Sequence, residues 1–432
     1  MRGKRRAGLR SPVREMKDAG PPACRACGAA LSRTLVDLGC SPLANTFVTP
    51  DAVQHSLPRY PLRVLVCDVC LLVQVEESLP PEALFSNYAY FSSYSDSWLT
   101  HCRNYADEVT SRFSLGSSDR IVEIASNDGY LLQYFVEKGI PVLGVDPAAN
   151  VVEAARARGI RTELAFFGAE TARRLRESGY AADLLAAKNV LAHVPDINDL
   201  VEGVRILLKP EGVFTAEFPH LLNLIRECQF DTIYHEHYTY LSLLAVEHIF
   251  RNHGLRIFDV EEVPTHGGSL RVFACRQGAS HSLERGPGVV RRQEIAAALD
   301  RPAGYTGFQQ RAEDARDGLV FFLNDAKRRG KRVAGYGAAA KGNTLLNFAG
   351  IGPDLLELVA DRNPFKQGRL LPGSLIPVTV PAVINRVKPD FVLILAWNLK
   401  HEVMSQLASV RGWGCRFVTA IPTLTVEPEG GP

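Results

Sequence analysis

The sequence predicts an α/β chain, with two units of parallel sheet covered by helices behind a small cysteine-held module. Three observations predict it. Short apolar strands alternate with helical stretches over residues ~100–275, and do so again over ~328–425, the pattern of parallel strands joined by helices. Four of the nine cysteines form two CxxC pairs near the start. At 432 residues and 46% hydrophobic content, the chain is too long for one ordinary domain and can bury a sizeable core.

Residues 1–20 are basic, with Arg2, Lys4, Arg5, Arg6, Arg10, Arg14 and Lys17. No apolar segment follows, so they read as a disordered tail rather than a secretion signal, and Met16 offers an alternative start. Over the whole chain 49 basic residues balance 47 acidic ones, for a net charge of +2. That balance argues against a nucleic-acid or acidic-membrane partner. No apolar run reaches membrane-spanning length, since Phe391 to Trp397 suits a buried strand.

Cys24-x-x-Cys27 and Cys67-x-x-Cys70 can place four thiolates around one tetrahedral zinc ion. Gly28 suits the tight knuckle after the first pair. A redox CxxC is the competing reading, but two pairs favour zinc, and four cysteine ligands leave no open position for catalysis. Cys40, Cys102, Cys228, Cys275 and Cys415 are scattered and form no disulfide framework. A protein of the reducing cytoplasm is expected.

Asp119 to Ala125 reads as a first buried strand, Ser126 to Gly129 as a turn, and Tyr130 to Val136 as a helix. A second strand, Pro141 to Val145, ends at Asp146 and Pro147, where a carboxylate can accept both hydroxyls of a ribose. This is a nucleotide-binding crevice without the GxGxxG of dinucleotide sites. Its polar and acidic groups, Glu123, Asn127 and Asp128, would repel a pyrophosphate. They suit S-adenosylmethionine (SAM), which carries a sulfonium and an amino group. Asn189, in the Ala187-to-Pro195 segment, follows a fourth strand, and Leu208-Lys-Pro-Glu-Gly-Val-Phe214 turns into a fifth. That Lys-Pro-Glu-Gly hairpin is frequent in class I methyltransferases. The candidate cofactor contacts are Glu123, Ala125, Asn127, Asp128, Gly129, Asp146, Pro147 and Asn189.

The densest polar cluster is Phe230-Asp-Thr-Ile-Tyr-His-Glu-His-Tyr238. It lacks the spacing of HExxH, and histidines two apart share a face only on a strand, so acid–base work is favoured over metal binding. Histidine moves protons near neutral pH, and an adjacent carboxylate can set its tautomer.

With these motifs in order, the chain resembles the three-domain sugar C-methyltransferases of antibiotic deoxysugar pathways, which act on nucleotide-linked 4-ketosugars. The likeness runs through both CxxC pairs, Val122-Glu-Ile-x-x-Asn-Asp-Gly129, Phe230 to His237, Pro264-x-His266-Gly267-Gly268-x-x-Arg271 and Gly335-Tyr-Gly-Ala-Ala-Ala-Lys-Gly342. It implies that His237 is the general base, with Tyr234, Glu236 and His193 as partners and a hydroxyl from Tyr88 or Tyr90, Tyr88 preferred. A monomer carrying a structural Zn²⁺ and SAM as cofactor is expected, with sugar contacts from Tyr90, His266, Gly267, Arg271, Tyr336, Lys341 and Asn343. Ala125-Ser126 stands where the family more often has a Gly-Cys-like pair, and His235 where it has Asp. The expected organisation is a tail (1–20), a zinc-binding domain (21–80), a class I methyltransferase Rossmann-like core (81–300) and a Rossmann-like substrate-binding domain (301–432).

In that last segment Lys331 to Gly335 reads as a strand, Lys341 to Phe348 as a helix and Leu356 to Ala360 as a strand ending at Asp361. Substrate binding, a vestigial scaffold and a nicotinamide site all fit a second βαβ unit. The resemblance implies the first, with Lys341 meeting the diphosphate. A sugar O-methyltransferase and a non-catalytic SAM-binding scaffold are the alternative functions.

Overall fold

The computed structural model describes residues 22–52, 57–76, 79–85, 92–94 and 96–428. The basic tail, Tyr88 and Tyr90 lie outside the described residues.

The N-terminal sheet is antiparallel, with β1 (Arg33–Ser41), β2 (Tyr60–Val66) and β3 (Val73–Val75) in that order. The Cys67–Cys70 turn joins β2 to β3, and the Cys67 amide donates to the Leu72 carbonyl.

The central sheet begins with β4 (Ile121–Ile124), β5 (Val142–Asp146), β6 (Thr162–Leu164) and β7 (Ala182–Lys188), all parallel. The boundaries of β4 and β5 lie within two residues of those predicted. The fifth strand, β8 (Leu208–Pro219), departs from the predicted hairpin. It runs from Leu208 onward, and the Lys-Pro-Glu-Gly segment bulges out of register between Leu208, opposite Ala182, and Val213, opposite Leu184. Gly212 makes this possible, because a Cβ there would stand 2.7 Å from the Ala182 carbonyl oxygen.

The chain then leaves this sheet, and β9 (Thr239–Tyr240) pairs with β3 as the fourth strand of the N-terminal sheet. It returns as β10 (Leu255–Val263) and β11 (Ser269–Arg276). The final order is β10-β11-β8-β7-β4-β5-β6, with β11 antiparallel to both neighbours. This is the class I methyltransferase sheet, and its strand order reverses at β4, where a crevice opens beyond the strand ends.

The Arg-rich stretch after it is one 21-residue helix, Phe308–Arg328. It leads into the third sheet: β12 (Val333–Tyr336), β13 (Val359–Ala360), β14 (Val378–Thr379), β15 (Phe391–Ile394), β16 (Arg416–Thr419) and β17 (Thr425–Val426). All but β17 are parallel, and helix Ala340–Phe348 follows β12. The segments share cores: Leu31, Leu65 and Leu72 pack with the central sheet, while Leu35, Val36 and Leu62 pack with Leu345, Val359 and Leu393. Among the described residues no helix is long and apolar enough to cross a membrane.

Candidate active site

The tips of β4 and β7 carry unusual backbone. Ala125 (φ 54°), Asn127 (φ 48°) and Asn189 (φ 56°) all sit in the left-handed region. Such conformations cost free energy outside glycine and gather at functional sites. Asp146 organises the first loop: its Oδ2 accepts from the Asn127 amide and its Oδ1 from the Ala148 amide, both at 2.9 Å. Each oxygen keeps a second lone pair, so the carboxylate can still receive ribose hydroxyls. Burial pushes its pKa up to about 6. Ala125, Asn127, Asp146, Pro147 and Asn189 line a cavity of about 1140 Å³. The residues present therefore fit SAM: a strand-tip carboxylate, a polar loop and no phosphate-binding glycines.

Three predicted cofactor contacts are placed elsewhere. Glu123 lies inside β4, fully buried on a sheet covered on both faces, and does not line the cavity. The Asp128 carboxylate turns back to Arg158, 3.1 Å away, and to Ser93. Gly129 (φ 80°) makes room for packing, since a Cβ there would stand 2.2 Å from the Ile160 side chain. These residues shape the loop from behind.

Deeper in, the cavity is lined by His193, Tyr234, Glu236, His237 and Tyr240. The His237 ring lies 4.0 Å from Tyr234 and 4.7 Å from His193, centroid to centroid. Its Nδ1–H donates to the Thr232 carbonyl at 2.8 Å, which leaves the Nε2 lone pair as the basic site. The tautomer is thus set by a backbone carbonyl and not, as the sequence suggested, by the adjacent carboxylate. Glu236 instead accepts from Asn45 of the N-terminal module, 2.7 Å away, and burial pushes its pKa up to about 7. His193 donates Nδ1–H to the Glu236 carbonyl at 2.8 Å. Burial holds the His237 pKa well below the usual histidine range, with His193 adding to the effect, and pushes His193 down to about 4. Both rings are neutral at neutral pH.

The His266 turn closes the cavity from above β11. His266 (φ 55°) accepts from the Asn189 amide at 2.9 Å and packs edge-on against Trp98. Gly267 and Arg271, predicted as sugar contacts, do not line the cavity. A Cβ on Gly267 (φ 92°) would stand 2.5 Å from the Trp397 ring. Arg271 is buried among Glu217, Glu261 and Glu108. Burial alone would raise the Glu217 pKa, but Lys188, His101 and Arg271 hold it well below the usual range. The signature arginine therefore sustains a buried ion network beneath the turn.

At the far end the third sheet contributes Lys341, Lys366 and Arg369. Lys341 Nζ donates to Asn398 Oδ1 at 2.7 Å, and Lys366 Nζ to the Ala338 carbonyl at 2.8 Å. Burial lowers both lysine pKa values, opposed by Asp231 at Lys341 and by Asp361 and Glu236 at Lys366. Tyr336 and Asn343 do not line the cavity. Tyr336 bonds Gln406 from within its strand, and Asn343 is spent on the Ala44 carbonyl at 2.6 Å.

At the N-terminus Cys24, Cys27, Cys67 and Cys70 bring their sulfur atoms within 4.8 Å of one another. The Cys24–Cys70 and Cys27–Cys67 sulfurs are each 3.5 Å apart. Zinc–thiolate bonds of about 2.3 Å in a tetrahedron place sulfurs ~3.8 Å apart, so the cage fits the ion.

Three family models match the chain: a putative zinc binding domain over residues 24–85, a methyltransferase domain over 98–260 and a C-methyltransferase C-terminal domain over 264–422. The chain is 35% identical to C-methyltransferase NovU of Streptomyces niveus over 399 residues, covering 92% of this chain and 95% of that protein. The chain belongs to this C-methyltransferase family. As a family member it is a SAM-dependent C-methyltransferase. The likeness to O-methyltransferases is narrower. A ubiquinone biosynthesis O-methyltransferase of Chelativorans sp. (strain BNC1) is 32% identical over 95 residues, 22% of this chain and 38% of that protein. A crystal structure of a SAM-dependent methyltransferase from Mesorhizobium loti has a TM-score of 0.32 and 19% identity, covering 40% of this chain and 98% of that one.

Several lining residues of this C-methyltransferase carried no sequence signal. Asn45 is a single amide in a Pro-rich stretch, and Lys366 lies in an irregular loop. Trp98 and His101 sit on an ordinary amphipathic helix, Asp96–Arg112.

Proposed function

We propose that this C-methyltransferase methylates a nucleotide-diphosphate ketosugar at the carbon beside its keto group. The observation that carries the reading is one cavity whose lining includes the SAM crevice, His237 and the cations Lys341, Lys366 and Arg369. Its volume of about 1140 Å³ exceeds the range of ~300–1,000 Å³ for a single drug-sized ligand, which suits a cofactor and a large substrate together. The half-buried lysines Lys341 and Lys366 in its lining favour an anionic group such as a diphosphate.

His237 Nε2 takes the proton from the carbon beside the ketone. Thr232 keeps the ring oriented through Nδ1. SAM, when bound, supplies the methyl electrophile that the resulting enolate carbon attacks. Neutral His193 presents Nε2 as an acceptor, because its Nδ1–H is committed to Glu236. It cannot itself donate to the enolate oxygen, so we assign that role to the Tyr88 hydroxyl. The reading includes a cytoplasmic monomer serving deoxysugar biosynthesis for antibiotics, with residues 81–300 and 301–432 as the two domains flanking the cavity.

The test is incubation with SAM and a panel of nucleotide 4-ketosugars, read by mass spectrometry and NMR. Methyl gain on carbon is expected for at least one member. Methyl gain on oxygen, or turnover of none of them, would overturn the reading.

A further inference from the structure

Trp397 follows β15 in the third sheet, yet it meets Asp231 of the His237 segment, Gly267 of the His266 turn and Lys341. Its indole Nε1–H donates to Asp231 Oδ2 at 2.7 Å. Asp231 is fully buried, and burial pushes its pKa up to about 6. The Lys341 ammonium lies 4.5 Å from the indole ring centroid. The ring edge also abuts Gly267, so closely that any side chain there would collide with it.

Asp231 begins the segment that ends at the base. The next residue, Thr232, supplies the carbonyl that holds His237 Nδ1–H at 2.8 Å. Thr232 Oγ1 in turn donates to the Gln229 carbonyl at 2.7 Å, and Gln229 Nε2 donates to the Gly267 carbonyl at 2.9 Å. A short bonded path therefore joins Lys341, the indole, Asp231, Thr232 and His237, with a branch to the His266 turn.

We infer that Trp397 is a positioning residue for proton abstraction: it ties the lysine end of the cavity to the carbonyl that orients His237. This rests on the reading of His237 as the base. Occupancy at Lys341 can be felt at the base because the indole is packed against one and bonded to the loop of the other. Asp231 and Thr232 are adjacent in a single turn of 3-10 helix, Phe230–Thr232, so the indole's acceptor and the carbonyl that holds His237 lie on neighbouring residues.

The experiment uses the full chain and Trp397→Phe, which keeps an aromatic ring beside Lys341 and Gly267 but removes the N–H. The probes are SAM and uridine-, thymidine- and guanosine-diphosphate 4-keto-6-deoxyhexoses. For a probe that the parent turns over, kcat and deuterium wash-out beside the ketone are expected to fall roughly ten- to a hundredfold, the worth of a buried hydrogen bond to a carboxylate. The SAM dissociation constant should stay within about twofold of the parent. Asp231→Ala should cause a similar fall, Asp231→Asn a smaller one because it keeps an acceptor, and Trp397→Phe/Asp231→Ala no more than the worse single variant. Independently of any sugar, ¹⁵N-histidine NMR should show the His237 Nδ1–H resonance of the parent broadened in Trp397→Phe.

Parent-like kcat in Trp397→Phe, additive losses in the double variant, or an unchanged His237 resonance would each overturn the inference. If His237→Ala retains wash-out, the base reading itself fails. If His237→Ala abolishes it while Trp397→Phe does not, only the role of Trp397 fails.

Discussion

Replacing His237 removes two things at once: the Nε2 lone pair and the N–H that satisfies the Thr232 carbonyl. They can be separated. A positioned general base is worth about 10² to 10⁴ in rate, roughly 3 to 5 kcal/mol of barrier. An orphaned buried carbonyl costs about 1 to 3 kcal/mol. His237→Ala loses both. His237→Gln retains a side-chain amide able to reach a backbone carbonyl, but it cannot accept a proton from carbon. Both variants are therefore expected to lose deuterium wash-out and methyl transfer by about 10² or more, with SAM affinity by calorimetry close to the parent's. Because burial holds the His237 pKa well below the usual range, the parent's rate should not decline as pH falls through 6.5 on account of this ring. Activity restored by Gln would show that the carbonyl's partner, not the base, is what matters at this position. Loss of SAM binding in both variants would show damage to the loop instead.

The metal site predicts about one zinc per chain by elemental analysis, and destabilisation of the N-terminal module in Cys67→Ser, since such zinc contributes on the order of 10 kcal/mol. Metal-free protein of parent stability would refute this. Asp146→Ala should weaken SAM binding at least tenfold by calorimetry, about 1.4 kcal/mol, because it removes a ribose acceptor and the bonds to Asn127 and Ala148 together. Lys366→Ala should raise KM for the nucleotide sugar while leaving SAM affinity unchanged, and an unchanged KM would place the diphosphate elsewhere. Glu236 has a folded pKa of about 7 against 4.5 unfolded, so the folded state binds the extra proton between those values and is penalised as pH rises through them. Glu236→Gln should therefore stabilise the protein relative to the parent at pH 8, by at most about 3 kcal/mol, and much less at pH 5; a difference in melting independent of pH would refute the burial argument.

What could be read from the sequence follows from how local each feature is. The strands β4, β5 and β12 announce themselves by apolar runs bounded by turns, and the cysteine cage by its spacing. That Asp146 and His237 would face one cavity was legible because a strand tip and a dense polar segment are local patterns. Tyr336 and Asn343 were misplaced because a motif fixes a loop's position but not which of its side chains faces the cavity. Arg271 misled for another reason: a cation in a glycine-rich signature suggests an anionic ligand, whereas Glu217 already neutralises it inside the protein. Asn45 and Trp397 were invisible because their importance depends on contacts made across 191 and 166 positions of chain.

The topology explains why those distant contacts exist. The segment carrying His237 does not stay with the central sheet: immediately after it, β9 joins the N-terminal sheet, whose core is continuous with that of the third sheet. Thr344 of helix Ala340–Phe348 donates to the Ile233 carbonyl at 2.9 Å, so the third sheet also grips the same segment. The loop carrying His237 is therefore clamped from both flanking modules, while Asn127 and Asp128 of the SAM crevice are held by Ser92 and Ser93, which precede the central sheet. A change on the third-sheet side, at Thr344 or Trp397, should therefore reach His237 before it reaches the cofactor crevice. That asymmetry is why variants at Asn45 or at Trp397 are most informative when methyl transfer and SAM affinity are measured side by side.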